Sequence, residues 1–301
     1  MFKNSRTAFK IYQKLTDDER NILESRKIDG KYSIKEWYRM LKHLALMDRF
    51  ADKARNNFKL SLIGLGLATF FTLIFSFNKA PFYIALPITL IPGGALGLLV
   101  FYYQTLKDID LGNHMRLFIM PSLNLMSQKV PGRGKVEMNM DLHPFNHEDY
   151  KVDEEVFDDP HETHLKKKTH VFFHLPWLTA KIPLKDGALL VMTVEDKVRE
   201  KKVVKYRKNK RKTKYKSKHI LRMKLALPKK RYQLLNARKE QFNITEDEKF
   251  IIISGKEKQV TEYNPLMHNE EKKSLDPRLL AKLLADAYKC VEPISPQQQS
   301  A

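Results

Sequence analysis

Residues 60–77 read LSLIGLGLATFFTLIFSF, eighteen positions from Leu60 to Phe77 without a charge. A helix of that length, at about 1.5 Å per residue, spans roughly 27 Å, close to the hydrocarbon core of a bilayer. Asn78 and Lys79 follow, and Ala80 to Leu106 then forms a second uncharged run of 27 residues. The two-residue gap predicts a tight antiparallel hairpin that crosses the membrane twice. Pro81 falls near the start of the second run, where a missing N–H costs little. Pro87, Pro92 and Gly93-Gly94 predict kinks further along. Phe82, Tyr83, Tyr102 and Tyr103 lie near its ends, as an aromatic belt would.

The flanking charges orient the hairpin. Fifteen Lys/Arg precede it, Lys79 lies in its turn, and Lys107 and Arg116 follow it. The excess of cations on the loop side of the termini puts both termini in the cytoplasm. The 59 residues ahead of the first run argue against a secretory leader. Gly64 and Ala68, and Gly93 and Gly97, are four apart, a spacing that lets helices approach closely. That predicts packing of the hairpin on itself, with homo-oligomerisation as the competing reading. Neither run contains an ionisable residue, which argues against a proton relay. A pore lined by Thr69, Thr72, Ser76 and Thr89 is the alternative from a different functional class.

Ahead of the hairpin, Thr16-Asp17-Asp18-Glu19 and Ser33-Ile34-Lys35-Glu36 are capping boxes, each opening a helix. Asp29-Gly30 reads as a turn between them. Met40, Leu44, Met47, Ala51, Ala54 and Phe58 form an apolar seam along the second helix. After it, Leu117 to Met126 reads as an interfacial helix or packed connector.

The remainder is patterned for strands. Lys135 to Leu142 alternates Val136, Met138 and Met140 with polar residues. Lys185-Asp186-Gly187 separates two β-like runs, Trp177–Leu184 and Ala188–Val194, as a hairpin turn does. Arg199–Arg207 and Thr213–Leu227 read as a second, longer hairpin, and Phe250–Ser254 as a further strand. Asp276 or Ser274 caps a final amphipathic helix through about Cys290. The organisation is residues 1–59 N-terminal cytoplasmic helices, 60–106 transmembrane hairpin, 107–130 interfacial connector, 131–263 β-rich cytoplasmic domain, and 264–301 C-terminal helix and tail. The fold class is an α+β membrane protein with an antiparallel β domain and a long basic hairpin.

The 301-residue chain carries a formal charge of +20, and residues 197–232 alone hold 18 basic residues and one acid. So concentrated an excess describes a partner rather than general solubility. The candidate anion-binding residues are Arg199, Lys201, Lys205, Arg207, Lys208, Lys210, Arg211, Lys212, Lys214, Lys216 and Lys218. Anionic phospholipid head groups are the first expectation. Nucleic acid, with Tyr206 and Tyr215 available to stack on bases, is the second. An acidic protein partner, or a solvated face that protects a strand edge, is the third.

Six of the ten histidines fall between His143 and His174. His143, His147, His161 and His164 are weak zinc-ligand candidates, against the plainer reading of a polar loop. HExxH, P-loop, dinucleotide-binding and nucleophile-elbow motifs are absent. Cys290 is the single cysteine, so no disulfide framework or CxxC site exists within the chain. No cofactor and no enzymatic activity are expected.

Arg116-Leu-Phe-Ile-Met-Pro121 with Leu123-Asn124, Pro176-Trp177-Leu178, Asp186-Gly187, Thr193-Val-Glu-Asp196 and the Lys/Tyr-rich strand Lys212–Lys224 resemble a group of uncharacterised bacterial double-pass membrane proteins. The resemblance covers about residues 40–235. It implies a multi-pass protein of the bacterial inner membrane and offers no catalytic residue or cofactor to carry over.

Overall fold

The computed structural model describes residues 2–79, 82–158, 166–205, 210–235, 240–263 and 274–294. It is an α+β protein with a large antiparallel sheet. The chain divides into two compact units, one of Met1–Glu24 with Lys42–Leu111 and one of Ser25–Leu41 with Gly112–Ala301.

The first unit is helical. Helices α1 (Phe2–Gln13) and α2 (Asp17–Ser25) precede α3 (Ile34–Lys79), and α4 spans Phe82–Asp108. Both capping boxes close reciprocally. The Glu19 carboxylate accepts the Thr16 N–H at 2.9 Å while Thr16 Oγ1 accepts the Glu19 N–H at 3.3 Å. Glu36 and Ser33 repeat the arrangement at the head of α3 at 2.8 and 3.3 Å. The seam on α3 is buried at Leu44, Met47, Ala51, Ala54 and Phe58. Beyond Phe58 the same helix turns its large apolar side chains outward: Leu60, Ile63, Leu67, Phe70 and Phe71 are each more than half exposed. Among the described residues α3 is the one helix long and apolar enough to cross a membrane. Helix α4 is continuous through Pro87 and Pro92.

One expectation fails here. Nothing among the described residues comes within 4 Å of a Cβ placed on Gly64, Gly93 or Gly97. At these three glycines no neighbouring helix is in contact among the described residues.

The second unit is built on an eight-stranded antiparallel sheet ordered β1-β2-β4-β5-β6-β9-β8, with β3 pairing a further stretch of β4. The strands are β1 (Lys27–Ser33), β2 (Lys135–Asp141), β3 (Lys151–Asp158), β4 (Lys166–Pro183), β5 (Leu189–Lys205), β6 (Lys210–Pro228), β8 (Phe242–Glu246) and β9 (Phe250–Tyr263). A small ribbon pairs β7 (Tyr232–Leu234) with β10 (Val291–Pro293).

Asp29-Gly30 is not a turn. Both residues lie within edge strand β1, opposite Asn139 and Met138. The chain turns earlier, at Arg26, whose φ is +53°. Glycine serves a different purpose at position 30: the Tyr32 ring lies over it, and a Cβ there would stand 2.4 Å from Tyr32 Cε2. An aromatic ring covering a strand glycine restores the packing that the missing side chain forfeits.

The alternations read in the sequence set the core. Met138, Ala180, Met192 and Met223 stand opposite one another across β2, β4, β5 and β6, and all are buried. Trp37 is sealed in this unit, its Nε1 donating to the Val136 carbonyl at 2.8 Å. The connector is a π-helical turn, Met115–Ile119, followed by α5 (Met120–Met126). It is packed rather than exposed, with Phe118 edge-on to Trp177 at 5.7 Å. At the first hairpin tip Gly187 has φ +81°, which glycine adopts without strain. Asp186 beside it accepts hydrogen bonds from Tyr232 at 2.7 Å and Tyr288 at 2.5 Å. Tyr288 ends α6 (Arg278–Tyr288), which follows Pro277, and Asp276 just ahead accepts the Arg278 N–H at 2.9 Å.

Several strands are longer than their local pattern suggested. The segments Ala188–Val194 and Arg199–Arg207 belong to one strand, β5, through Lys205. The His/acid-rich stretch is not a plain loop, because Lys151–Asp158 forms β3.

Candidate functional site

Register assembles the basic residues. Lys197 stands opposite Lys218, Arg199 opposite Lys216, Lys201 opposite Lys214, and Lys205 opposite Lys210. Residues directly opposite share a face of the sheet. The alternating cations of β5 and β6, Lys212 included, therefore project to the same side. Arg211 pairs with Val204 and falls on the other face, apart from the rest of the predicted set. Arg207 and Lys208 lie outside the described residues.

Like charges directly opposite destabilise a sheet, and compensation here is sparse. Lys216 meets Glu262 at 2.8 Å. Among the described residues Arg199, Lys201, Lys214 and Lys218 form no ion pair with a carboxylate. Tyr215 is on the opposite face, donating to Glu200 at 2.9 Å and stacked on Tyr263 at 5.3 Å. Tyr215 and Tyr263 nevertheless border a pocket that Arg199, Lys201, Lys212, Lys214 and Lys216 also line.

The basic face contains a groove of about 460 Å³. Lys197, Arg199, Lys216 and Lys218 line it together with Val152, Phe172 and Val260. Val152 and Val260 are 67% and 54% exposed, so the apolar part of the groove is open to solvent. Four cations around an apolar floor suit an anion that carries hydrocarbon.

The histidine candidates do not assemble as a metal centre among the described residues. His143 and His147 have ring centroids 5.0 Å apart. Each is engaged with its own carboxylate, His143 with Asp141 at 2.7 Å and His147 with Asp149 at 3.4 Å. His161 and His164 lie outside the described residues. The grouping with metal-ligand spacing is elsewhere, at Asp48, Asp52 and Asp110 of the helical unit. Arg55 already supplies positive charge there, reaching Asp110 at 2.6 Å and donating to Asp52. Asp48 accepts the Leu111 N–H at 3.0 Å. Burial pushes the Asp110 carboxyl up to about 6, against the pull of Arg55.

A second polar cluster joins residues far apart in the sequence. On the face opposite the lysines, Asp196 of β5 is buried between two imidazoles. His219 Nδ1 lies 2.7 Å from Asp196 Oδ1, and His114 Nε2 lies 3.4 Å from Oδ2. His219 Nε2 faces Thr261 Oγ1 at 3.2 Å, and the His114 ring stacks on Trp177 at 4.4 Å. Burial alone would raise the Asp196 pKa; His114, His219 and Trp177 hold it below the usual carboxylate value. Burial pushes His114 the other way, below the usual histidine value. The cluster keeps an ionised carboxylate in the sheet interior. The one clue available was His219 itself, a histidine on the apolar face of β6.

Compared with protein-family models, with curated proteins and with solved structures, the chain matches none of them.

Proposed function

We propose that this is a bacterial inner-membrane protein that crosses the bilayer twice, keeps both termini in the cytoplasm, and binds anionic phospholipid head groups through the basic face of its sheet. The observation that carries the reading is the groove in which Lys197, Arg199, Lys216 and Lys218 surround Val152, Phe172 and Val260. A head-group phosphate takes the cations, and the proximal acyl carbons take the apolar floor. Each Lys or Arg near an anionic surface contributes about 1 kcal/mol, fading over a Debye length of about 8–10 Å. A membrane tether raises the local lipid concentration, so weak individual contacts suffice. The membrane part of the reading is supported by the outward-facing Leu60, Ile63, Phe70, Ile91, Leu98 and Phe101, since soluble proteins rarely expose so much contiguous apolar surface.

Full-length protein in neutral detergent micelles tests the head-group reading. It is titrated with short-chain phosphatidylglycerol and with short-chain phosphatidylcholine, at low and high salt. Saturable, salt-sensitive binding of the anionic lipid alone is expected, and exchanging Lys197, Arg199, Lys216 and Lys218 for Glu abolishes it. Equal binding of both lipids, or binding that survives the charge reversal, sinks the reading.

A further inference from the structure

An open pocket of about 750 Å³ lies further along the same sheet, with the segment leading into β8 on one side. Two rows of residues form its floor. Val191, Lys224, Ser254 and Asn243 stand opposite one another across β5, β6, β9 and β8. Thr193, Arg222 and Lys256 form the adjacent row.

The arrangement is costly without a ligand. Arg222 and Lys256 are direct cross-strand neighbours, and Lys224 stands two positions along. Arg222 is compensated by Glu195 at 2.7 Å. Neither Lys224 nor Lys256 has a carboxylate partner among the described residues. Desolvation, with Arg222 and Lys258 alongside, holds Lys256 below the usual lysine range. Ser254, Thr193 and Asn243 add neutral hydrogen-bond donors between the cations. Glu240, at the β8 side, is the one carboxylate lining the cavity.

We propose that this cavity is a phosphate-ester site, in which Arg222, Lys224 and Lys256 hold the phosphoryl oxygens and Glu240 accepts from a hydroxyl or amine on the body of the ligand. A phosphoryl dianion offers several acceptors to three neighbouring cations on one face and offsets the repulsion between Arg222 and Lys256. Thr193, Ser254, Asn243 and Glu240 beside the cations offer contacts to the body of an ester that free phosphate would not use, so an ester fits better than the free ion. The site is separate from the groove at Lys197–Lys218, and either can exist without the other.

Full-length protein in neutral detergent is titrated with glycerol 3-phosphate, inorganic phosphate and short-chain phosphatidic acid. Saturable binding of glycerol 3-phosphate is expected, weakened at least tenfold in K224Q and in K256Q and preserved in the K216E/K218E protein. An E240Q protein is expected to lose affinity for glycerol 3-phosphate but not for inorganic phosphate. Competition between phosphatidic acid and glycerol 3-phosphate assigns the phosphate to lipid as well as to soluble esters; absence of competition assigns it to soluble esters. Failure of all three probes to bind saturably, or binding unchanged in the K224Q/K256Q double variant, overturns the proposal. Because both lysines are exposed and outside the core, folding of these variants is expected to be intact, and an unchanged thermal unfolding midpoint verifies it.

Discussion

His219 Nδ1 sits 2.7 Å from Asp196 Oδ1 in the interior of the sheet, with both side chains almost sealed from water. An ionised carboxylate so buried depends on its neighbours, because an unpaired buried charge is far costlier than an exposed one. His219→Leu should therefore cost about 2–4 kcal/mol by urea or thermal unfolding.

The same cluster predicts a two-step loss of stability in acid. His114 has a folded pKa below its ordinary 6.5. As pH drops below about 6.5 the unfolded chain takes up a proton that the folded chain refuses, so stability falls towards the folded pKa. Asp196 is held below its ordinary 3.8, so a second fall begins below about pH 3.8. The groups facing this pair are His219, Thr261 and Trp177. His114→Gln should remove the first fall and reduce the second, because His114 is among the groups that hold Asp196 below its usual value. A variant curve parallel to wild type throughout would mean that His114 is not the titrating group.

Arg55 binds Asp52 and Asp110 in the helical unit, with Asp48 alongside. Removing the guanidinium leaves buried carboxylates without their cation. Arg55→Met should lower stability by about 3–5 kcal/mol, measured by thermal unfolding in detergent. Arg55→Lys should recover only part, since an ammonium lacks the planar fork that reaches two carboxylates. Adding Asp52→Asn and Asp110→Asn to Arg55→Met should restore most of the loss. If the triple variant is as unstable as the single, packing rather than charge explains Arg55.

The two charge clusters also show where the sequence is legible. Period-two alternation exposes one face of β2 and β6 correctly, because one side of each strand is core and the other is solvent. It breaks at Glu195-Asp196, where two acids in succession read as loop. The partners that hold them, His174 and Arg222 for Glu195, and His114 and His219 for Asp196, are distant in sequence. A bulge between Pro176 and Leu178 shifts the phase of β4 at the same level. Together they make β5, one strand shared by two successive hairpins, look like two separate strands. The alternation in each strand already places its own cations on one side, but the coincidence of the two sides was not legible. It follows from the register Lys201 opposite Lys214, which a β5–β6 turn fixes and neither strand alone specifies. Asp48, Asp52 and Arg55 fall among the apolar seam of α3, where charged positions read as the solvent side.

Gly255 is a packing glycine. A Cβ there would stand 2.5 Å from Phe242 Cε1 and 3.1 Å from Leu283 Cδ1, wedging β8 and α6 away from β9. Gly255→Ala should cost about 1–3 kcal/mol by the ordinary penalty of overpacking. Phe242→Leu in the same chain should return part of that loss, an interaction that a double-mutant cycle reads directly. Strictly additive losses would place the strain elsewhere.

Membrane crossing has its own test, because the chain has one cysteine to remove. Cys290 is buried and behaves as a small apolar side chain, so Cys290→Ala should cost only about 1 kcal/mol. On that background, Lys79→Cys places a thiol at the C-terminal end of α3, and Lys210→Cys places one on the basic hairpin. With two crossings and cytoplasmic termini, a membrane-impermeant maleimide added to intact spheroplasts labels position 79 and leaves position 210 untouched until the membrane is permeabilised. High-salt and alkaline washing should leave both variants in the membrane pellet, since apolar burial is insensitive to charge screening. Identical labelling of the two positions before permeabilisation would rule out the double crossing. It would also remove the tether that brings Lys197, Arg199, Lys216 and Lys218 to the head groups.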